Sequence, residues 1–156
     1  MHLTQHTDYA IRVLLYAQAH ADRLVNITEM ADFYQISRTH LAKVVAALTQ
    51  AGYLQGVRGK NGGLKLGKTP GEINVGTLVS QFEPLDIVEC FGQKNSCIIT
   101  PDCQLKNALY QAKLAFLNTL KEYTLEDLHS SLKVEKRSNS NAMSLASPTT
   151  FFRKSD

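Results

Sequence analysis

The chain has 156 residues, 44% apolar and 20% charged, enough for one compact core with an appended element and too few for a large multidomain enzyme. No stretch approaches the roughly 18 consecutive apolar residues of a membrane span, and the start MHLTQHTDYA has neither part of a secretory signal, so a cytoplasmic location is expected. Formal net charge is only +3, yet residues 37–68 hold Arg38, Lys43, Arg58, Lys60, Lys65 and Lys68 with no Asp or Glu, leaving −3 for the rest. Positive charge gathered in one block suits a polyanion-binding surface, although a solvated lysine-rich face would look the same from charge alone.

The first predicted helix covers residues 7–18. Ile11, Leu14, Leu15 and Gln18 lie at helical spacing, with Thr7 and Asp8 as capping and first-turn residues. Asn26 with Glu29 three residues on forms a capping box that opens a short second helix to about Tyr34, and Gln35 and Ile36 make a turn. Ser37 caps a third helix whose Leu41, Val44, Val45 and Leu48 form one apolar stripe, so the pair reads as a helix-turn-helix. The face opposite the stripe carries Thr39, Lys43, Ala46 and Gln50, flanked by Arg38 and His40, and these residue types suit a helix that enters a DNA groove.

Residues 53–67, YLQGVRGKNGGLKLG, read as a β-hairpin with a glycine-rich turn containing Asn61-Gly62, with Leu54, Val57, Leu64 and Leu66 as its apolar members and Arg58 and Lys60 beside its tip. Helix, helix and basic hairpin together describe a winged helix-turn-helix. Its candidate DNA-binding residues are Ser37, Arg38, Thr39, His40, Lys43, Arg58 and Lys60.

Asn74 then caps a two-turn helix with Val75, Leu78, Val79 and Phe82 on one side, ending near Pro84. A longer helix over 104–123 places Leu105, Leu109, Ala112, Phe116, Thr119 and Tyr123 at alternating spacings of 4 and 3, with Leu120 beside them, a seam suited to homodimerisation. Thr124 and Asp127 suggest a capping box for a final short helix to about Leu132. The expected organisation is a winged helix-turn-helix over 1–83, a cysteine-bearing loop over 84–103, a dimerisation helix and short helix over 104–132, and a disordered tail over 133–156. The fold class is mainly α with a small β-hairpin wing.

All the cysteines lie in that loop. Cys90, Cys97 and Cys103 are spaced C-x6-C-x5-C, and three of them cannot all pair within one chain. Thiolates are soft ligands for iron–sulfur clusters, zinc or copper(I); structural zinc prefers cysteine pairs two to four residues apart, which are missing here, and three unmetallated thiols are the plain alternative. Three cysteines on a cluster require a further ligand or leave one iron open. His2, His6, His20 and His129 are scattered with no nucleophile and base arrangement, so no enzyme is expected. An electron-transfer protein would account for the cysteines but not for the basic wing.

The segments LTQHTDYAIRVLLY, ISRTHLAKVV, AGYLQGVRGKNGGLKLGK and EPLDIVECFGQKNSCIITPDCQLKNAL resemble the IscR-like family of small winged-helix iron–sulfur transcription regulators, most closely its nitric-oxide-sensing branch, over residues 1–132. The resemblance implies a homodimeric repressor of double-stranded promoter DNA, with one cluster per subunit, four-iron four-sulfur or two-iron two-sulfur, held by Cys90, Cys97 and Cys103. Reaction with nitric oxide would then weaken promoter binding. One branch of the family has a histidine three residues after the third cysteine, where Lys106 stands here; in the nitric-oxide-sensing branch an aspartate from the partner subunit can fill the site, and the matching residue is Asp8. Arg12, one turn on, would pair with Asp8 or with the cluster's negative charge. A regulator of the same fold answering to cluster supply, iron or oxidative stress is the alternative.

Overall fold

The computed structural model describes residues 2–92 and 95–128. Its elements are α1 (Gln5–Ala19), α2 (Ile27–Tyr34), α3 (Arg38–Gln50), β1 (Leu54–Val57), β2 (Gly63–Leu66), α4 (Val75–Phe82) and α5 (Gln104–Lys121), with three-residue 3-10 turns at Pro70–Glu72, Glu89–Phe91 and Thr100–Asp102. The expected architecture, mainly helical with a two-stranded wing, is present.

Helix α1 begins earlier than its apolar spacing indicates. Thr4 is the N-cap, its hydroxyl accepting from Thr7 N–H at 3.3 Å, whereas Thr7, expected to cap, is fully buried. The capping box of α2 forms as read: Asn26 Oδ1 accepts from Glu29 N–H at 2.9 Å and Glu29 Oε1 from Asn26 N–H at 3.1 Å. Gln35, in the left-handed region at φ 56°, ends α2 and turns the chain into α3. Leu41, Val44, Val45 and Leu48 of α3 are buried as expected, but Ser37, although at the N-cap, makes no side-chain capping bond.

The hairpin pairs antiparallel, Leu54 opposite Leu66 and Val57 opposite Gly63. Its connection is therefore the five residues 58–62, a glycine-rich turn that contains Asn61-Gly62 as expected. Gly59 adopts φ 121°, and a Cβ on Gly62 would collide with the Val57 carbonyl, so these glycines shape the tip. The wing's base is stitched to the chain before α2: Val25 N–H donates to Leu64 O at 3.0 Å and Leu64 N–H to Val25 O at 2.8 Å.

The main core joins Ala10, Val13 and Leu14 of α1, Met30 and Ala31 of α2, the α3 stripe, and Tyr53, Leu54, Ile73, Leu78 and Leu125. A second cluster, Val75, Val79 and Leu117 with Phe116 and Leu120 against it, fastens α5 to α4. Gly76 is what allows this crossing, because a Cβ there would lie 2.6 Å from Lys121 N and 2.8 Å from Leu117 O. The chain is tied again where Leu125 N–H donates to Ile73 O at 2.8 Å and Val75 N–H to Tyr123 O at 2.9 Å.

Two expectations about this end of the chain need correction. The seam along α5 is divided: Phe116 and Leu120 pack within their own chain, while Leu105 and Tyr123 are 63% and 43% exposed and Ala112 and Thr119 also face outward. The helix ends at Lys121, two residues short of Tyr123. The Thr124–Asp127 pair does close on itself, with Asp127 Oδ2 accepting from Thr124 N–H and Oγ1 at 2.7 Å each, but residues 124–128 form a turn instead of a helix. The rest of that expected helix and the 133–156 tail lie outside the described residues.

Candidate nucleic-acid interface and cysteine centre

Ser37, Arg38, Thr39, His40 and Lys43 are exposed at the start of α3, and Arg38, Thr39, Ala42, Lys43 and Ala46 line one shallow hollow with Ile27 of α2. Because the stripe from Leu41 to Leu48 is locked in the core, the opposite face is held outward by packing. The alanines leave room beside the cations for a backbone or base edge to approach. Arg58 and Lys60 are exposed on the wing tip. Among the described residues the ion pairs are Arg12–Asp8 and Arg23–Glu29, so none of Arg38, Lys43, Arg58 or Lys60 is neutralised by a carboxylate. Lys68 is different: its Nζ lies 4.7 Å from the Tyr53 ring centroid, and it braces the base of the wing.

The fold also brings α1 beside the start of α3, which the sequence reading did not anticipate. Gln5, His6 and Tyr9 share a cleft of about 160 Å³ with His40, Lys43 and Val44. Nothing in the periodicity of α1 marks these residues, because the closeness of α1 to α3 is tertiary.

The three cysteines line one cleft of about 180 Å³, whose other walls are Val88, Glu89, Ile99, Leu105, Lys106 and Leu109. All three are free and half-buried. Each arrives on its own device: Cys90 in the 3-10 turn Glu89–Phe91, Cys97 in the loop that follows, and Cys103 at the N-cap of α5, where its Sγ accepts from Lys106 N–H at 3.4 Å. That places Cys103 at the N-terminal end of α5. Lys113 of α5 secures the turn that carries Cys90, its Nζ 4.9 Å from the Phe91 ring centroid and 3.4 Å from the Leu85 carbonyl.

Among the described residues no group of three or more His, Cys, Asp or Glu side chains is arranged to hold a metal ion. The donor set nevertheless fits an iron–sulfur cluster: three soft sulfurs border one cleft with largely aliphatic walls. Asp8 is not among the cleft residues of its own chain; its Oδ2 is 2.8 Å from Arg12 Nη2, the pairing expected for Arg12. Lys106 lies on the cleft wall, and its N–H serves the Cys103 cap.

Residues 3–131 match the Rrf2 family, described as iron-dependent transcriptional regulators. The chain belongs to the Rrf2 family. A curated relative in Bacillus licheniformis, named HTH-type transcriptional regulator NsrR, is 47% identical over 131 residues, covering 82% of this chain and 92% of the relative. The NsrR of Oceanobacillus iheyensis is also 47% identical over 131 residues, 82% of this chain and 89% of the relative. Among solved structures, CymR, the global cysteine regulator of B. subtilis, superposes with TM-score 0.69 at 24% identity, covering 85% of this chain and 99% of that one. IscR of T. potens gives TM-score 0.67 at 21% identity, with 91% and 94% covered, and both structures share the fold. This Rrf2-family chain is thus a DNA-binding transcriptional regulator and not an enzyme. No helix among its described residues is long and apolar enough to cross a membrane.

Proposed function

We propose that this regulator is a cytoplasmic repressor that binds double-stranded promoter DNA as a homodimer, holds an iron–sulfur cluster through Cys90, Cys97 and Cys103, and leaves the promoter when nitric oxide reacts with the cluster. The observation that carries the proposal is the convergence of all three cysteines on one cleft, in a chain 47% identical to regulators named NsrR. When bound, the cluster supplies an iron that a small diatomic can attack. The protein does the rest. Arg38, Thr39, His40 and Lys43 contact bases or phosphates from α3, Ser37 adds a hydroxyl at its start, and Arg58 and Lys60 reach the backbone from the wing.

Asp8 of the partner subunit would supply the remaining ligand, in which case its carboxylate would no longer be held by Arg12 alone. A hard carboxylate is a weaker partner for this iron than thiolate, which suits a position that must let go. Leu105, Ala112 and Thr119 repeat every seven residues on the exposed side of α5, with Tyr123 beyond, and supply the strip on which two copies meet. Response to cluster supply, iron or oxidative stress is the second reading, favoured by the family's description as iron-dependent.

The test is anaerobic purification, an absorption spectrum, and titration with nitric oxide during a promoter shift assay. Coloured protein that releases DNA as nitric oxide is added supports the proposal. Colourless protein, or coloured protein indifferent to nitric oxide but responsive to iron removal, rejects it.

A further inference from the structure

Around Cys97 the described chain is open to solvent, with Ile98 93% exposed and Ile99 63%. A set of polar bonds lies beside the cysteines. Oε1 of Glu89, the neighbour of Cys90, accepts from the Ser96 N–H at 2.9 Å and from the Ser96 hydroxyl at 2.6 Å, and Ser96 is the neighbour of Cys97. On the other side of Ser96, Asn95 Oδ1 accepts from the Cys97 N–H at 3.1 Å, and Thr100 Oγ1 donates to the Cys97 carbonyl at 2.8 Å. Asn95 Nδ2 donates to Thr100 Oγ1 at 3.0 Å and closes the set.

We infer that Glu89 and Ser96 form a clamp that holds Cys90 and Cys97 toward the same cleft before any inorganic centre is present, and that this preorganisation sets how firmly the centre is retained. The inference rests on reading the three cysteines as ligands. Its physical basis is that donors already in place need not be ordered at the moment of binding, and that groups fixing the ligands from behind govern retention almost as strongly as the ligands. Glu89 is a positioning residue. Its carboxylate receives two donors at one oxygen, a charge-assisted arrangement stronger than either bond between neutral groups. Ser96 links the two arms because one residue supplies both donors, and its backbone continues directly into Cys97.

The experiment compares full-length wild type with Glu89→Ala, Glu89→Gln, Ser96→Ala and the double alanine variant, each reconstituted without oxygen, by the rate at which visible absorbance is lost to excess EDTA. Glu89→Ala should lose its centre about tenfold faster, at the low end of the range typical of groups that orient metal ligands, and Ser96→Ala only a few-fold faster, because its backbone N–H still donates to Glu89. Glu89→Gln, which keeps the accepting oxygen without the charge, should stay within about threefold of wild type. The double variant should be no faster than Glu89→Ala, because the Ser96 hydroxyl has lost its acceptor. Unchanged loss in Glu89→Ala, a Gln variant as poor as the Ala variant, or additive effects in the double variant would overturn the clamp. A second measurement needs no centre: in cluster-free protein, the Ser96 and Cys97 amides should exchange slowly in wild type and rapidly in Glu89→Ala, with the α1–α4 amides unchanged. Equal exchange in both proteins overturns the clamp. A wild type that takes up no iron, yet shows the protected amides, overturns the ligand reading and leaves the clamp standing as a structural feature.

Discussion

Glu83 grips the start of α1 from the end of α4. Its carboxylate accepts from Thr4 N–H at 3.2 and 3.0 Å and from the Thr4 hydroxyl at 3.0 Å, across 79 residues of sequence. The contact joins two regions that matter together: α1 carries Asp8 four residues after Thr4, and the cysteine segment begins one residue after Glu83. Helix α1 in turn packs on α3 through the shared core.

This grip has a pH signature. Burial opposes the charge of Glu83, but bonds from the Thr7 hydroxyl and from Thr4 outweigh it and hold the carboxyl below its ordinary 4.5. A lowered carboxyl contributes stability that is present above the ordinary value and lost as pH falls through the folded value. Glu83→Gln should cost about 1–2 kcal/mol at pH 7, and that difference in urea unfolding should shrink as pH drops below about 4.5. A gap that persists unchanged at acid pH would show that charge is not what the contact uses.

At the alkaline end, Tyr34 should titrate late. Burial pushes its phenol from 10.0 up to about 12, and its hydroxyl donates to the Arg12 carbonyl at 3.0 Å. For a raised phenol the neutral form is favoured in the fold, so its contribution is intact below 10 and lost as pH rises toward 12. Ultraviolet titration of wild type against Tyr34→Phe should remove one late-ionising tyrosine.

Gly76 should tolerate nothing larger. With backbone atoms 2.6 and 2.8 Å from a prospective Cβ, Gly76→Ala must push α4 off α5, at a cost of about 1–3 kcal/mol in denaturant unfolding. The gain in helix propensity from Gly to Ala is about 1 kcal/mol and does not offset the collision unless the helices separate freely.

The two groups of cations should separate in DNA binding. Arg38→Ala should cost about 1–3 kcal/mol on a specific site and much less on random DNA if it reads a base. Arg58→Ala and Lys60→Ala should weaken both DNAs alike and each lower the slope of log affinity against log salt by about one. Fluorescence anisotropy over a salt series measures both quantities.

Much of the frame was legible because it is local. The Asn26–Glu29 box, the α3 stripe and the Asn74 cap depend on spacings of three and four residues, which the sequence displays directly. What was not legible is long-range. Thr4 displaced Thr7 as the cap of α1 because Thr7 is taken into the core, and the Glu83 grip that anchors Thr4 spans 79 residues. The α5 seam read as a single surface, yet Val75 and Val79 of α4 claim Phe116 and Leu120 from it. At the candidate site the cysteines announced themselves by chemistry, but Glu89 and Ser96 looked like ordinary loop residues until the fold placed them against each other.

The most direct test of the central claim is the anaerobic affinity of wild type and Cys97→Ala for the same promoter fragment, with iron and sulfide measured on each sample. Coupling between centre and DNA predicts that the variant folds, holds no cluster, and binds its specific site at least about fivefold more weakly, with random-sequence binding unchanged. A cluster-free variant that binds the promoter as tightly as cluster-loaded wild type would contradict it.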